Sequence, residues 1–227
     1  MATTAHLDTF ARDNLPPASA LPEFIFEGPD LQLPERLNVA AELLDRWIER
    51  GHGQRIALIG ERDGQAFSWT YAELHARACR IAGVLVNRLG LVSGNRVLLR
   101  GANTPMYAAC WLGVMKAGGI AVGSMPLLRE RELKAIIDKA QITHALCDAR
   151  IADALLAVRP ECPQLGAPLL FNGDEGEGSL EAEMAAQPAA FASVDTAADD
   201  TALMAFTSGT TGVPQGTMHF HRGVIAG

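Results

Sequence analysis

The apolar and polar positions of this chain alternate between two periods. Stretches in which apolar residues recur every three or four positions predict amphipathic helices, at residues 38–50, 70–89, 104–117, 129–140 and 151–158. Short apolar or strictly alternating runs predict β-strands, at residues 55–60, 65–69, 95–100, 120–123, 143–148, 167–171, 202–207 and 216–221. Gly51 closes the first helix, and Asp63-Gly64 predicts a hairpin turn between the first two strands.

The helix at residues 70–89 carries the clearest boundary signals. Thr70, with Glu73 three residues later, forms the capping-box pattern and predicts the first turn. Gly90 is typical of the residue that follows a helix. The apolar stripe between these signals consists of Leu74, Ala78, Ile81, Leu85 and Leu89.

Strands alternate with helices along most of the chain, and this order predicts an α/β fold. We expect a largely parallel sheet with helices on both faces. The pattern divides the chain into an extended, proline-rich arm (1–35), an α/β subdomain (36–171), an acidic connection (172–200) and the start of a second subdomain (201–227). We expect the arm to lie on the surface of another part of the molecule.

Composition narrows the function class. The 227 residues are 48% hydrophobic and 20% charged, as in globular domains. The net charge of -7 argues against a nucleic-acid partner, which needs a basic face. No stretch resembles a signal peptide or a membrane span, so we expect no membrane association and a cytoplasmic location. The four cysteines lack the paired spacing of zinc sites, and we expect reduced, mostly buried thiols.

The segment "TSGTTGVPQG", residues 207–216, carries the candidate chemistry. It joins two predicted strands and combines three glycines with four hydroxyl side chains and no charge. A Walker A loop needs G-x-x-x-x-G-K-[ST] and a following helix, and a dinucleotide loop needs G-x-G-x-x-G, so the segment fits neither. Glycine lets backbone N–H groups approach an anion, and hydroxyls add donors. The segment therefore predicts a phosphate-binding hairpin, with an ordinary hairpin loop as the alternative.

Two other polar clusters are weaker candidates. Residues 172–188 are acidic and glycine-rich, and with Asp195, Asp199 and Asp200 we expect them to be a solvated connection rather than a metal site. The alternation of residues 216–221 places His219 and His221 on one face of a strand. Because no third ligand is near in the sequence, we expect a hydrogen-bonded or solvent-facing pair rather than a metal site.

The sequence "FTSGTTGVPQGTMHFHR" resembles the phosphate-loop motif of the adenylate-forming enzymes, which include acyl- and aryl-CoA synthetases, peptide-synthetase adenylation domains and luciferases. That motif is written [YF]-T-S-G-[TS]-T-G-x-P-K-G, and the chain departs from it at Gln215. "FSWTYAELHARACRIAGVL" and "GVMKAGGIAVGSMPLLRERELKAIIDKA" are similar to earlier segments of the family, so the resemblance covers nearly the whole chain. "MPLLRxxEL" and "DTFARDNLPP" resemble the 2-aminobenzoate-CoA ligase branch, close to benzoate-CoA ligase.

The resemblance implies an enzyme that activates an aromatic carboxylic acid with ATP to an acyl-adenylate and passes the acyl group to coenzyme A. Mg²⁺ would accompany ATP. By position, the residues that bind the phosphates would be Thr207, Ser208, Gly209, Thr210, Thr211, Gly212, Gln215 and Gly216. Gln215 supplies a neutral donor where a lysine would add charge, so we expect modestly weakened phosphate affinity.

The resemblance also implies what lies outside this sequence. The family's later motifs, for adenine, ribose and a lysine of a C-terminal domain, are not found here. We therefore expect an N-terminal part that has no catalytic or metal-ligating residue of its own and is inactive alone. Two alternatives stay open: a peptide-synthetase-type adenylation domain that loads a carrier protein, and a non-catalytic nucleotide-binding module. A homodimer is also left open.

Overall fold

The computed structural model describes residues 3–21, 23, 25, 28, 32–62, 64–173, 176–207 and 214–227. The strands in these ranges are β1 (Ile56–Arg62), β2 (Gln65–Thr70), β3 (Arg96–Arg100), β4 (Ile120–Ser124), β5 (His144–Asp148), β6 (Leu169–Phe171), β7 (Thr201–Thr207) and β8 (Gln215–Phe220). The helices are α1 (Phe10–Asp13), α2 (Arg46–Glu49), α3 (Tyr71–Gly83), α4 (Pro105–Lys116), α5 (Glu130–Lys139), α6 (Asp153–Val158), α7 (Leu180–Ala185) and α8 (His221–Ala226). Short helical turns add Ala18–Ala20, Ala41–Asp45, Val84–Arg88, Ala149–Ile151 and Arg159–Glu161.

One six-stranded sheet organises the structure, in the order β6-β5-β3-β4-β7-β8. Its first five strands are parallel, and β8 returns antiparallel to β7. A separate antiparallel hairpin is formed by β1 and β2. The predicted α/β fold with a largely parallel sheet is confirmed. The predicted antiparallel pairs β1–β2 and β7–β8 are confirmed as well.

The two faces of the sheet carry different helices because the strand order reverses. The chain moves from β3 to β4 in one direction and from β4 to β5 in the other, so right-handed crossovers place α4 and α5 on opposite faces. One core packs α3 and α4 through residues such as Ile81 and Val114. The other packs α5 and α6 through residues such as Leu133 and Leu155. Helices on both faces are therefore confirmed.

The predicted start of α3 is confirmed in atomic detail. The Thr70 hydroxyl accepts from the Glu73 backbone N–H at 3.3 Å, and the Glu73 carboxylate accepts from the Thr70 backbone N–H at 2.8 Å. These bonds satisfy donors that the first turn leaves without a helical partner. Gly90 has a φ of 69°, which suits the chain reversal after this helical segment.

The N-terminal arm lies against the amino ends of the strands. Backbone N–H groups of Leu7 and Asp8 donate to Ser93 O at 3.1 and 2.9 Å, and the Asp8 carboxylate pairs with Arg96 at 2.5 Å. The Asp200 carboxylate, just before β7, accepts from the Ala5 N–H at 2.9 Å. Within the described residues, the arm thus joins the starts of β3 and β7, and it includes the one-turn helix α1 in addition to extended chain.

A buried polar network lies at the same amino edge. Lys116, at the end of α4, is fully buried and donates to Asp45 at 2.5 Å and Ser193 at 2.9 Å. His75 Nε2 lies 2.9 Å from the same carboxylate. Burial alone would raise the pKa of Asp45, but hydrogen bonds from His75, Lys116 and Ser193 outweigh it and hold that pKa below its usual range. The network ties α3 and α4 to the segment that leads into β7.

The acidic connection is not solvated throughout, contrary to the prediction. Helix α7 lies within it and buries Leu180 and Met184. Asp200 is 6% exposed and accepts from the Ala197 N–H at 2.9 Å. Asp199 pairs with Arg222 at 2.7 Å. These acidic residues therefore serve as structural hydrogen-bond and ion-pair partners.

Residues 201–227 continue the sheet formed by β3–β6, because β7 pairs with β4. The division of the chain into subdomains stays a prediction. The four cysteines are free and buried, as predicted. No helix among the described residues is long and apolar enough to cross a membrane. Nor do the described residues bring together three or more His, Cys, Asp or Glu side chains that could hold a metal ion.

Candidate phosphate-binding site

The two strands that flank the predicted phosphate loop meet at the carboxyl edge of the sheet. The parallel strands end at this edge with Arg100, Ser124, Asp148, Phe171 and Thr207. Open α/β sheets bind ligands at the carboxyl ends of their strands, since the connecting loops there present free backbone groups. The position of the hairpin is therefore the one at which this architecture binds small molecules.

Thr207 and Gln215 form the base of the loop. They are register partners at the ends of β7 and β8, and both are exposed. Ser208, Gly209, Thr210, Thr211 and Gly212 of the predicted site lie outside the described residues. The structure thus places the two strands that carry the loop, and the phosphate-binding role of all eight predicted residues stays a prediction.

Gly216 is favoured by packing at the base of the loop. A Cβ atom added there would lie 3.1 Å from two ring carbons of Phe206, its register partner on β7. The φ of Gly216 lies outside the left-handed region, so space rather than backbone conformation explains the glycine. Phe206 packs toward the α5 and α6 face of the sheet.

A lysine that the sequence did not single out contacts the far side of the loop. Lys139, at the end of α5, donates from Nζ to the backbone carbonyl oxygen of Pro214 at 2.7 Å. This contact brings the positive charge of Lys139 to the backbone of Pro214, the residue that precedes Gln215. An exposed lysine on an amphipathic helix is usually only a solvated residue, so no local pattern indicates this contact with a residue 75 positions away.

The two histidines do not share a face, which corrects the prediction. Strand β8 ends at Phe220, and His221 is the first residue of α8. His221 is fully buried, and its Nδ1 accepts from the Val39 backbone N–H at 3.1 Å. Burial lowers the pKa of His221 to about 3. His219 stays exposed on β8.

Next to the loop, the face of the sheet toward α4 is lined by small side chains. Gly123, Ala205 and Thr217 are register partners across β4, β7 and β8 and so point to the same face. The Thr217 hydroxyl donates to Ala205 O at 3.1 Å and lies 3.4 Å from His219 Nε2. A Cβ on Gly123 would lie 3.5 Å from the Tyr107 hydroxyl. At Gly123 this row of small side chains packs against the aromatic side chains of α4.

Known proteins share this architecture and this sequence. The AMP-binding enzyme family matches residues 44–227. Benzoate–CoA ligase of Thauera aromatica is 29% identical over 197 residues, which cover 87% of this chain and 36% of that protein. The chain therefore spans about a third of the length of this curated relative.

Solved structures give the same picture. ATP-bound MatB from Rhodopseudomonas palustris matches with a TM-score of 0.67 and 33% identity, over 81% of this chain and 35% of that one. The anthranilate CoA ligase AuaEII in complex with anthranoyl-AMP matches with a TM-score of 0.75 and 22% identity, over 84% and 36% of the two chains. At that identity the second likeness shows the fold. With the family match over most of its length, this chain belongs to the AMP-binding enzymes.

Proposed function

We propose that this chain is the N-terminal part of an ATP-dependent acid–CoA ligase that adenylates an aromatic carboxylate of the benzoate or 2-aminobenzoate type. The observation that carries the proposal is the pairing of β7 with β8, which places Thr207 and Gln215, at the two ends of the segment "TSGTTGVPQG", at the carboxyl edge of the sheet. The ATP-bound relative MatB supports ATP as a substrate, and benzoate–CoA ligase supports the aromatic acid.

The proposed reaction has two group transfers. In the first, a carboxylate oxygen of the acid attacks the α-phosphorus of ATP, and pyrophosphate leaves as the bond to the bridging oxygen breaks. In the second, the sulfur of coenzyme A attacks the acyl carbon, and AMP leaves with the electron pair of the broken C–O bond. The thiol proton passes to solvent or to a base.

The chain's own contribution is to bind and orient the phosphates in the first transfer. Negative charge grows on the leaving pyrophosphate, and fixed N–H and O–H donors stabilise that charge without reorganising. Thr207 and Gln215 flank the loop at the ends of β7 and β8. Their side chains would supply two of these donors. Backbone N–H groups of the glycines between them complete the cradle in this proposal.

Mg²⁺ would neutralise part of the phosphate charge when it binds with ATP. Among the described residues no cluster of carboxylate, histidine or cysteine side chains is arranged to hold it. The hydroxyl and backbone N–H donors of the loop fit phosphate oxygens. The metal would be held in part by the phosphates of ATP themselves.

The test is acid-dependent pyrophosphate release by the complete gene product, with ATP and Mg²⁺ present. We expect release with benzoate or 2-aminobenzoate, little with hexanoate, and a CoA thioester on addition of coenzyme A. Release with hexanoate alone would overturn the aromatic substrate. The absence of release with every acid, from folded protein, would overturn the ligase. Transfer to a carrier protein but not to coenzyme A would overturn the second step.

A matched pair of variants ties the activity to the loop. Thr207→Val removes a hydroxyl at the base of the loop, and we expect a fivefold to tenfold loss in kcat/KM for ATP, since one hydrogen bond is worth about 1 kcal/mol. Thr217→Val removes a hydroxyl that already donates to Ala205 O. It should leave kcat/KM nearly unchanged. Equal losses in the two variants would contradict the proposed role of Thr207.

A further inference from the structure

A second concave site lies apart from the phosphate loop. A cleft of about 800 Å³ opens between the β1–β2 hairpin, α3 and α7. A neighbouring cleft of about 480 Å³ shares its lining residues Phe67, Trp69, Met106 and Glu181 and continues toward the ends of β5 and β6. Neither is lined by a residue of β7 or β8. Volumes of this size are typical of small-molecule sites.

One wall of this hairpin cleft is aromatic and carries a stacked arginine. Phe67 and Trp69 have ring centroids 6.0 Å apart. The Arg77 guanidinium lies 4.1 Å from the centroid of the Trp69 ring, within the range of a cation–π contact. Arg77 also donates to Glu73 O at 3.2 Å. The guanidinium is thus held against an aromatic side chain by these two contacts.

A second arginine lines the same wall. Arg80 follows Arg77 by three residues on α3, so both side chains lie on one side of the helix. No carboxylate of the described residues forms an ion pair with either arginine. Burial lowers the pKa of Arg77, and the positive charge of Arg80 lowers it further. The negative charge of Glu73 acts in the opposite direction. The wall therefore holds two arginines, and neither forms an ion pair with a carboxylate of the described residues.

The acidic residue on the opposite wall of the cleft does not form an ion pair with either arginine. Glu181 of α7 lines the cleft, but its carboxylate accepts from the Asn172 backbone N–H at 2.9 Å instead of pairing with an arginine. Met106 and Met184 add apolar surface. Flexible methionine side chains adapt to the shape of a planar ring.

We propose that the hairpin cleft binds a planar aromatic anion. The ring would lie on the surface formed by Phe67, Trp69 and the Arg77 guanidinium, and the anionic group would pair with Arg80. Stacking on a guanidinium and a charge-assisted hydrogen bond are the two contacts that this wall offers. An aromatic carboxylate and a nucleoside monophosphate both have this chemistry.

The test uses the 227-residue chain without ATP, so its outcome is independent of the proposed ligase activity. 2-Aminobenzoate and AMP are titrated separately by isothermal calorimetry. We expect saturable binding of at least one probe with a Kd of about 1 mM or tighter. Binding of 2-aminobenzoate alone identifies an aromatic carboxylate site, and binding of AMP alone identifies a nucleotide site. Failure of both probes to saturate overturns the proposal.

Variants locate the binding. Arg80→Met should raise the Kd about tenfold, the effect of losing one charge-assisted contact, and Arg77→Met should raise it through loss of the stacked guanidinium. Arg131→Met makes the same change on α5, on the other face of the sheet, and should bind like the unmodified chain. His219→Ala, beside the phosphate loop, should also bind normally. Weakening by His219→Ala but not by Arg80→Met would overturn the proposal, because the probe would then occupy the sheet edge.

Two further variants separate binding from misfolding. Arg80→Lys keeps the charge and should recover most of the affinity that Arg80→Met loses. Trp69→Phe keeps an aromatic wall, so it should still bind the probe but lose the tryptophan fluorescence change on titration. A fluorescence change that survives Trp69→Phe unaltered would contradict the placement of the ring beside Trp69.

Discussion

Replacing the buried lysine Lys116 with methionine should destabilise the protein strongly. The methionine fills similar volume but leaves the Asp45 carboxylate without its closest cation, which lies 2.5 Å away. Removing one partner of a buried ion pair typically costs about 3–5 kcal/mol, because the remaining charge loses its compensation. Asp45 keeps contacts with His75 and Ser193. The expected loss is therefore at the lower end, about 3 kcal/mol in the free energy of unfolding.

The assay is urea unfolding followed by tryptophan fluorescence at pH 7. The control is Lys134→Met, which makes the same change in an exposed pair with Asp138 at 2.7 Å. Such exposed pairs contribute little, so the urea midpoint of the control should hardly move. The double variant with Asp45→Asn should lose less than the sum of the single variants, since the two groups act together. A Lys116→Met midpoint equal to that of Lys134→Met would refute this reasoning.

Three other predictions concern the base of the loop and two histidines. Gln215→Lys should lower the KM for ATP of the complete gene product by about tenfold if its ammonium reaches the phosphates; an unchanged KM would contradict this. Gly216→Ala should destabilise the chain by about 1 kcal/mol in urea, since its Cβ would crowd an aromatic ring, whereas Gly223→Ala meets no atom within 4 Å and should not destabilise it. Hydrogen bonding to a carboxylate raises the pKa of His75 to about 9, and burial lowers that of His221 to about 3, both from 6.5. Because the folded state holds the proton of His75 more tightly, the urea midpoint should fall as pH rises from 6.5 through 9. Because the folded state keeps His221 neutral, the midpoint should also fall as pH drops below 6.5. His75→Gln should remove only the decline at alkaline pH.

The element pattern was predictable from sequence because local chemistry fixes it. The Thr70 and Glu73 capping box and the glycines after helices act within a few residues of themselves. The alternation of strands and helices then fixed the fold class, since parallel strands need crossover helices. Helix α7 also had a local signal: Ser179 accepts from the Ala182 N–H as an N-cap. The acidic composition of that region outweighed this signal in the prediction.

The remaining features depend on contacts between distant residues. A period of two residues cannot tell where a strand ends, so His221 was assigned to the face of His219. Its partner, the Val39 N–H, lies 182 positions away. Lys116 lies in a segment similar to the adenylate-forming enzymes, yet nothing in that segment indicates that its ammonium pairs with Asp45, 71 positions earlier. Composition and periodicity report burial and element type, whereas the pairing of buried charges is decided by tertiary packing.

The most direct measurement of the central claim is amide hydrogen exchange of the complete gene product with and without ATP and Mg²⁺. The claim is that the segment between β7 and β8 binds the phosphates. It predicts slower exchange in the peptide that covers residues 207–216 when ATP is present. Slower exchange elsewhere, with an unchanged rate in residues 207–216, would contradict it.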